Sequence, residues 1–171
     1  MKPLASDEKL ATVMAYTHHM FVRGDIVIQE NLRASIWLRT KNVLNHLHLL
    51  KPNVLMFTGA QPKSFSYNEL FLPTKEVIAF HLAPPAEDSI DYDTSELNRA
   101  MQFVDLMLGS FMMKGKIRIS THSDMATNLD VSFGTWMSVY DADVSNMYLP
   151  QFNMHVPMLL VNPSYVSFGV G

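Results

Sequence analysis

An internal repeat constrains this chain more than any other feature, because one pattern of apolar strands and polar turns recurs at a spacing of about 90 residues. Met20-Phe21-Val22-Arg23-Gly24-Asp25-Ile26-Val27-Ile28 is matched by Phe111-Met112-Met113-Lys114-Gly115-Lys116-Ile117-Arg118-Ile119, with the glycine, the cation before it and the isoleucines coinciding. Leu47-His48-Leu49-Leu50-Lys51-Pro52-Asn53-Val54 is matched by Met137-Ser138-Val139-Tyr140-Asp141-Ala142-Asp143-Val144, each reading as a strand, a polar turn and a return strand. Each copy closes on an apolar run, a turn carrying proline and a second apolar run, at residues 70–80 and 159–168. Three blocks in one order at near-constant spacing imply a duplication. The first module then spans residues 11–82 and the second 102–170, with 83–101 as a linker.

The repeat also decides local structure. Ser6-Asp7-Glu8, followed by Leu10, Val13, Met14 and Thr17, has the spacing of a capped amphipathic helix. Yet residues 12–28 align with 103–119, where Val104, Leu106 and Leu108 alternate with Asp105 and Met107 before a break at Gly109. Alternation of period two is a strand signal, so a long bent strand is favoured there and the helix is the alternative. A short helical turn fits residues 31–38, and its counterpart at 122–129 offers Ser123 or Asp124 as a cap. In the linker, Ala83-Pro84-Pro85-Ala86-Glu87-Asp88 precedes Thr94 or Ser95 as the cap of a short helix through Met101. The expected fold class is all-β: two tandem small barrel-like (Sm/SH3-like) or sandwich modules related by internal duplication, with one or two short helices.

With 48% hydrophobic and only 17% charged residues, the 171-residue chain is far from the composition of disordered segments and can build a core unaided. The absence of cysteine excludes disulfides, thiolate metal sites and cysteine nucleophiles. The first eight residues place acids where a secretory signal needs an apolar run, and nothing approaches the roughly 18 apolar residues of a membrane span. The expected location is therefore cytoplasmic, with no membrane partner. Charge is divided unevenly. Residues 1–82 carry nine Lys/Arg against six Asp/Glu, and residues 83–171 carry four against ten. Such a division fits complementary surfaces within or between chains, a first half that meets a polyanion, or plain drift in surface composition after duplication.

The closing block of the first copy, Leu70-Phe71-Leu72-Pro73-Thr74-Lys75-Glu76-Val77-Ile78-Ala79-Phe80, resembles the second signature of Sm-like RNA-binding proteins. The resemblance covers about 35 residues and implies a small barrel. Sm-like proteins carry Arg-Gly or Lys-Gly at that turn, whereas this chain has Pro73-Thr74-Lys75 and Asn162-Pro163-Ser164, so the base-binding residues do not transfer. As a whole, with Arg23-Gly24-Asp25, Asn31-Leu32-Arg33-Ala34-Ser35 and Leu70-Phe71-Leu72, the chain resembles an uncharacterised bacterial family of tandem-repeat β proteins. That resemblance implies no activity.

No residue set has the spacing of a known chemistry. His46-Leu47-His48 puts two imidazoles on one strand face, about 6.5 to 7 Å apart at the backbone, and a metal would need a third ligand from His18, His19, His81 or a carboxylate. His18 and His19 would face opposite sides of a strand. His122-Ser123-Asp124 has the residue types of a hydrolase triad, but neighbours on one turn cannot form the relay. Asp141-Ala142-Asp143 has part of a calcium loop without its remaining ligands. No catalytic, cofactor-binding or metal residues are therefore assigned. For nucleic acid, Arg23, Arg33, Arg39 and Lys41, with Lys51, would supply cations and Trp37 and Phe57 stacking rings.

The leading expectation is a non-enzymatic structural or protein-interaction module that forms homo-oligomers or meets another protein through apolar strand edges. The alternative is an Sm-like nucleic-acid-binding module that uses the basic face of the first copy.

Overall fold

The computed structural model describes residues 4–40, 45–59, 61–132 and 134–171, and its chain divides into two compact units, Met1–Asp88 and Ser89–Gly171. The fold is all-β with few short helices.

In the first unit β1 (Glu8–Tyr16), β2 (Met20–Gln29), β3 (His46–Met56), β4 (Lys63–Ser66), β5 (Glu69–Pro73) and β6 (Ala79–Leu82) are joined in antiparallel fashion. The order is β6-β1-β2-β3-β4, with β5 also on β3, and 3₁₀ turns lie at Ala34–Arg39 and Thr74–Glu76. In the second unit β7 (Arg99–Leu108), β8 (Phe111–Ser120), β9 (Met137–Asn146), β10 (Leu149–Val161) and β11 (Ser167–Gly169) follow the order β11-β7-β8-β9-β10. Helix α1 (Met125–Ser132) and a 3₁₀ turn at Pro163–Tyr165 stand where the first unit has its two 3₁₀ turns.

The repeat read from sequence reappears in the pairing register. Val13 lies opposite Gly24 on β1 and β2, and Val104 lies opposite Gly115 on β7 and β8. Leu49 pairs with Leu70 as Val139 pairs with Leu159, and Ala15 pairs with Phe80 as Leu106 pairs with Phe168. Alternation sends Val13, Ala15, Val22, Ile26, Leu47 and Leu49 into one core and Val104, Leu106, Met113, Ile117, Val139 and Leu159 into the other.

Three local expectations are corrected. Lys51-Pro52 and Asp141-Ala142 are bulges inside the continuous strands β3 and β9, where the sequence had suggested a turn between two strands. At each bulge the register slips by one residue against the strand before, and Lys51 and Asp141 take positive φ of 45° and 48°. Residues 12–28 form a hairpin of two strands around Thr17-His18-His19, not one long bent strand and not the alternative helix. The short helix through Met101 is absent as well. All ten residues of β7 pair with β8, and that ladder outweighs the capping signal at Thr94 and Ser95. Asp124 does cap α1, accepting a hydrogen bond from the Thr127 amide at 2.8 Å.

The bulges explain the repeated glycine. A Cβ built on Gly115 would lie 2.7 Å from Val139 Cγ1 and 3.1 Å from Tyr140 O, and one on Gly24 would lie 3.2 Å from Pro52 Cα. A side chain at Gly115 would force its neighbours to shift and one at Gly24 would be tightly packed, so the missing side chain lets β2 and β8 pass close under their kinked neighbours. Gly115→Ala is expected to destabilise the second unit by about 1–3 kcal/mol through overpacking. Urea unfolding followed by Trp136 fluorescence in a Trp37→Phe background measures this, and equal or greater stability would contradict the packing role.

Candidate interaction surface

On a strand paired across both edges, residues in register share a face, so a row of partners reads out what a sheet presents to solvent. Across the second unit one such row is Asp105 on β7, Lys114 on β8, Asp143 on β9 and His155 on β10, and all four are exposed. Charge alternates over the first three, and His155 closes the row as a hydrogen-bond partner. Asp143 Oδ1 lies 2.9 Å from His155 Nδ1, and one row further along Lys116 Nζ lies 2.9 Å from Asp141 Oδ2. β8 thus presents two lysines and β9 two aspartates side by side. The bulge produces this pattern: it keeps Asp141 within reach of Lys116 although Lys116 is in register with Tyr140.

The same face carries apolar side chains that the core does not use. Phe103, Met107 and Met101 of β7 are 68%, 47% and 37% exposed, and the Lys116 ammonium sits 5.3 Å from the centre of the Phe103 ring. At its other end the face is covered by residues 89–98. Asp91 accepts hydrogen bonds from Ser138 Oγ and Tyr140 Oη, both at 2.7 Å, and Tyr92 packs edge-on against Tyr140. Arg118 stacks over Tyr92, donates to Asp93 O and binds Glu96 at 2.7 Å. The strap hides Ser138 and Tyr140 and stops short of the charged rows.

Asp143, His155 and Ser145 have the residue types of a nucleophilic triad and border a shallow depression of about 360 Å³ with Lys114 and Asn153. Its physics is that of an open surface. The His155 and Asp143 side chains are 59% and 77% exposed, so water competes for their contact, and Ser145 Oγ turns to Met112 O at 3.3 Å.

The residues singled out for nucleic acid lie in the first unit. Half-buried Arg33 precedes the 3₁₀ turn Ala34–Arg39 in extended conformation, exposed Arg39 ends it, and half-buried Trp37 lies within it. Arg23 is exposed on β2 opposite Met14 and Asn53. Phe57 follows β3, its amide bonded to His19 O, Lys51 occupies the bulge, and Lys41 lies outside the described residues.

The histidines are dispersed. His48 Nε2 lies 2.8 Å from Glu69 Oε2, and its ring stacks on Phe71 at 4.4 Å. His18 and His19 occupy the β1–β2 turn with ring centres 6.3 Å apart, a correction to the strand placement that put them on opposite sides. Among the described residues no three His, Asp or Glu side chains gather closely enough to hold a metal ion. No described helix is long and apolar enough to cross a membrane.

The charged face was missed in the sequence because Asp141-Ala142-Asp143 looked like a turn. The available signal was the i, i+2 spacing of Lys114 and Lys116 against that of Asp141 and Asp143 in neighbouring strands. Compared with protein-family models, curated proteins and solved structures, the chain matches none.

His81, the remaining candidate ligand, is fully buried. Its Nε2 meets the Tyr16 hydroxyl at 2.9 Å and its Nδ1 meets Leu82 O at 2.6 Å, so the neutral ring is satisfied at both nitrogens. Burial lowers its pKa from 6.5 to about 4, outweighing the upward pull of the bond to Leu82, and burial raises that of Tyr16. The folded ring stays neutral where the unfolded one takes a proton. Stability is therefore full above pH 6.5 and falls as the pH drops towards about 4, by at most roughly 3 kcal/mol. Urea unfolding across that window, read by Trp37 in a Trp136→Phe background, is expected to show the loss in the parent protein and not in His81→Gln. A flat profile in the parent would contradict it.

Proposed function

We propose that this chain is a non-enzymatic interaction module that self-assembles through the outer face of its second unit. The observation that carries the reading is the row of large apolar side chains on β7, above all Phe103 at 68% exposure, beside a ladder of charges on a regular sheet. Apolar groups grouped on one face are costly to leave in water and are commonly covered by a partner, whereas scattered ones are not. The neighbouring lysines and aspartates add charges of both signs to the same face, which give a contact between proteins its register and specificity. The openness of the Asp143–His155 pair favours recognition over catalysis, since exposed groups lack the desolvation that makes acid–base chemistry efficient.

Size exclusion with light scattering tests this. The purified protein is expected at a multiple of 19.4 kDa, and Phe103→Ser with Met107→Ser to shift it to the single-chain mass. A single-chain mass for the parent protein at all concentrations would overturn the reading. Co-eluting nucleic acid, seen by its ultraviolet absorbance and lost in Arg33→Ala with Arg39→Ala, would replace it with the nucleic-acid-binding alternative.

A further inference from the structure

Resting on the self-assembly reading, we infer that the partner is a second copy of this chain, docked about a two-fold axis that runs parallel to the strands between β8 and β9. The argument is one of symmetry. β8 presents Lys114 and Lys116 and β9 presents Asp143 and Asp141, in adjacent strands about 4.8 Å apart on one face. A half-turn about an axis lying in the interface, parallel to and midway between these strands, exchanges left and right while preserving the level along the strand. It sets Lys114 of one copy over Asp143 of the other and Lys116 over Asp141, and symmetry makes each contact twice.

The same half-turn fixes what the flanking strands meet. Asp105 of β7 comes over His155 of the second copy's β10, and Met107 comes over the level of Asn153. A two-fold axis lying across the strands would instead place β8 over β8, lysine against lysine, and β9 over β9. The charge pattern therefore selects one of the two in-plane axes and rejects the other, since like charges set opposite each other are unfavourable.

The first unit has the same frame without this pattern. The positions corresponding to Lys114, Lys116, Asp141 and Asp143 hold Arg23, Asp25, Lys51 and Asn53, in which the cation and anion of β2 share one strand. A half-turn then brings Arg23 over Asn53 and Asp25 over Lys51, which completes one pair where the second unit completes two. Those residues also show which substitutions the frame tolerates. Asp25 occupies the position of Lys116, and Lys51 takes φ of 45° where Asp141 takes 48°.

The test uses two charge-reversed full-length chains. Lys114→Asp with Lys116→Asp makes both strands acidic, and Asp141→Lys with Asp143→Lys makes both basic. Each alone is expected to self-associate about tenfold or more weakly than the parent protein, the acidic one with loss of the salt sensitivity that opposite charges confer. Mixed one to one they are expected to form a heterodimer, because every facing pair is then of opposite sign. The mixture guards against a folding defect, which mixing would not repair. If the parent protein is oligomeric and both variants associate as it does, this docking is overturned while self-assembly by another face stands; if both variants keep the parent's circular dichroism, lose association and fail to recover it on mixing, β8 does not lie over β9 and this docking is overturned. If the parent protein is a single chain at all concentrations, the self-assembly reading falls and this inference falls with it.

Discussion

In each unit the second and third strands meet at a glycine, and the third strand carries an extra residue opposite it. Gly24 passes beneath Lys51-Pro52 and Gly115 beneath Asp141-Ala142, with positive φ at Lys51 and Asp141. A bulge shifts the alternation of one strand relative to its neighbour, so residues on either side of it reach the same face out of step with the simple rule. The core depends on this. Leu49 and Val54 are both buried although five positions apart, as are Val139 and Val144 in the second unit. Outward residues depend on it equally, since the bulge brings Asp141 beside Lys116.

A shared frame has been given two different exteriors. In the first unit the last two outward positions of β1, Met14 and Tyr16, are turned to packing: Tyr16 is buried, bonded to His81 and set against Phe21 with ring centres 5.1 Å apart. In the second unit the corresponding strand β7 exposes Met101, Phe103 and Met107. The strap at residues 89–98 covers one end of that face with a network centred on Asp91 and Arg118 and leaves the other end open. The strap satisfies the buried hydroxyls of Ser138 and Tyr140, and Arg118 is held by three groups of one segment, so this end is built as interior and the charged end as surface.

The repeat and the all-β class were legible in the sequence, because glycine, proline and apolar runs fall at matching places in the two copies. The blocks around Gly24 and Gly115, and the closing blocks ending at Phe80 and Phe168, align in the structure as they do in the chain. What could not be read was whether a polar interruption ends a strand or kinks it. Lys51-Pro52-Asn53 and Asp141-Ala142-Asp143 have turn composition, and only long-range pairing with Asn68 and with β10 carries the strand through. The candidate surface was hidden for that reason: two acids in a turn are a solvated loop, and two acids on a strand beside two lysines are a pattern. Arg33, Trp37 and Arg39 were grouped by proximity in sequence, which a 3₁₀ turn partly preserves, whereas Arg23 lies on a separate strand.

The central claim is that β8 of one copy lies over β9 of another. Zero-length carbodiimide cross-linking of an equal mixture of ordinary and nitrogen-15-labelled chains measures this contact directly, because a link between a light and a heavy peptide can only join two molecules. The account predicts mixed-isotope links between Lys114 and Asp143 and between Lys116 and Asp141. Links at these residues found only within chains of one isotope, in a protein that is oligomeric, would contradict it.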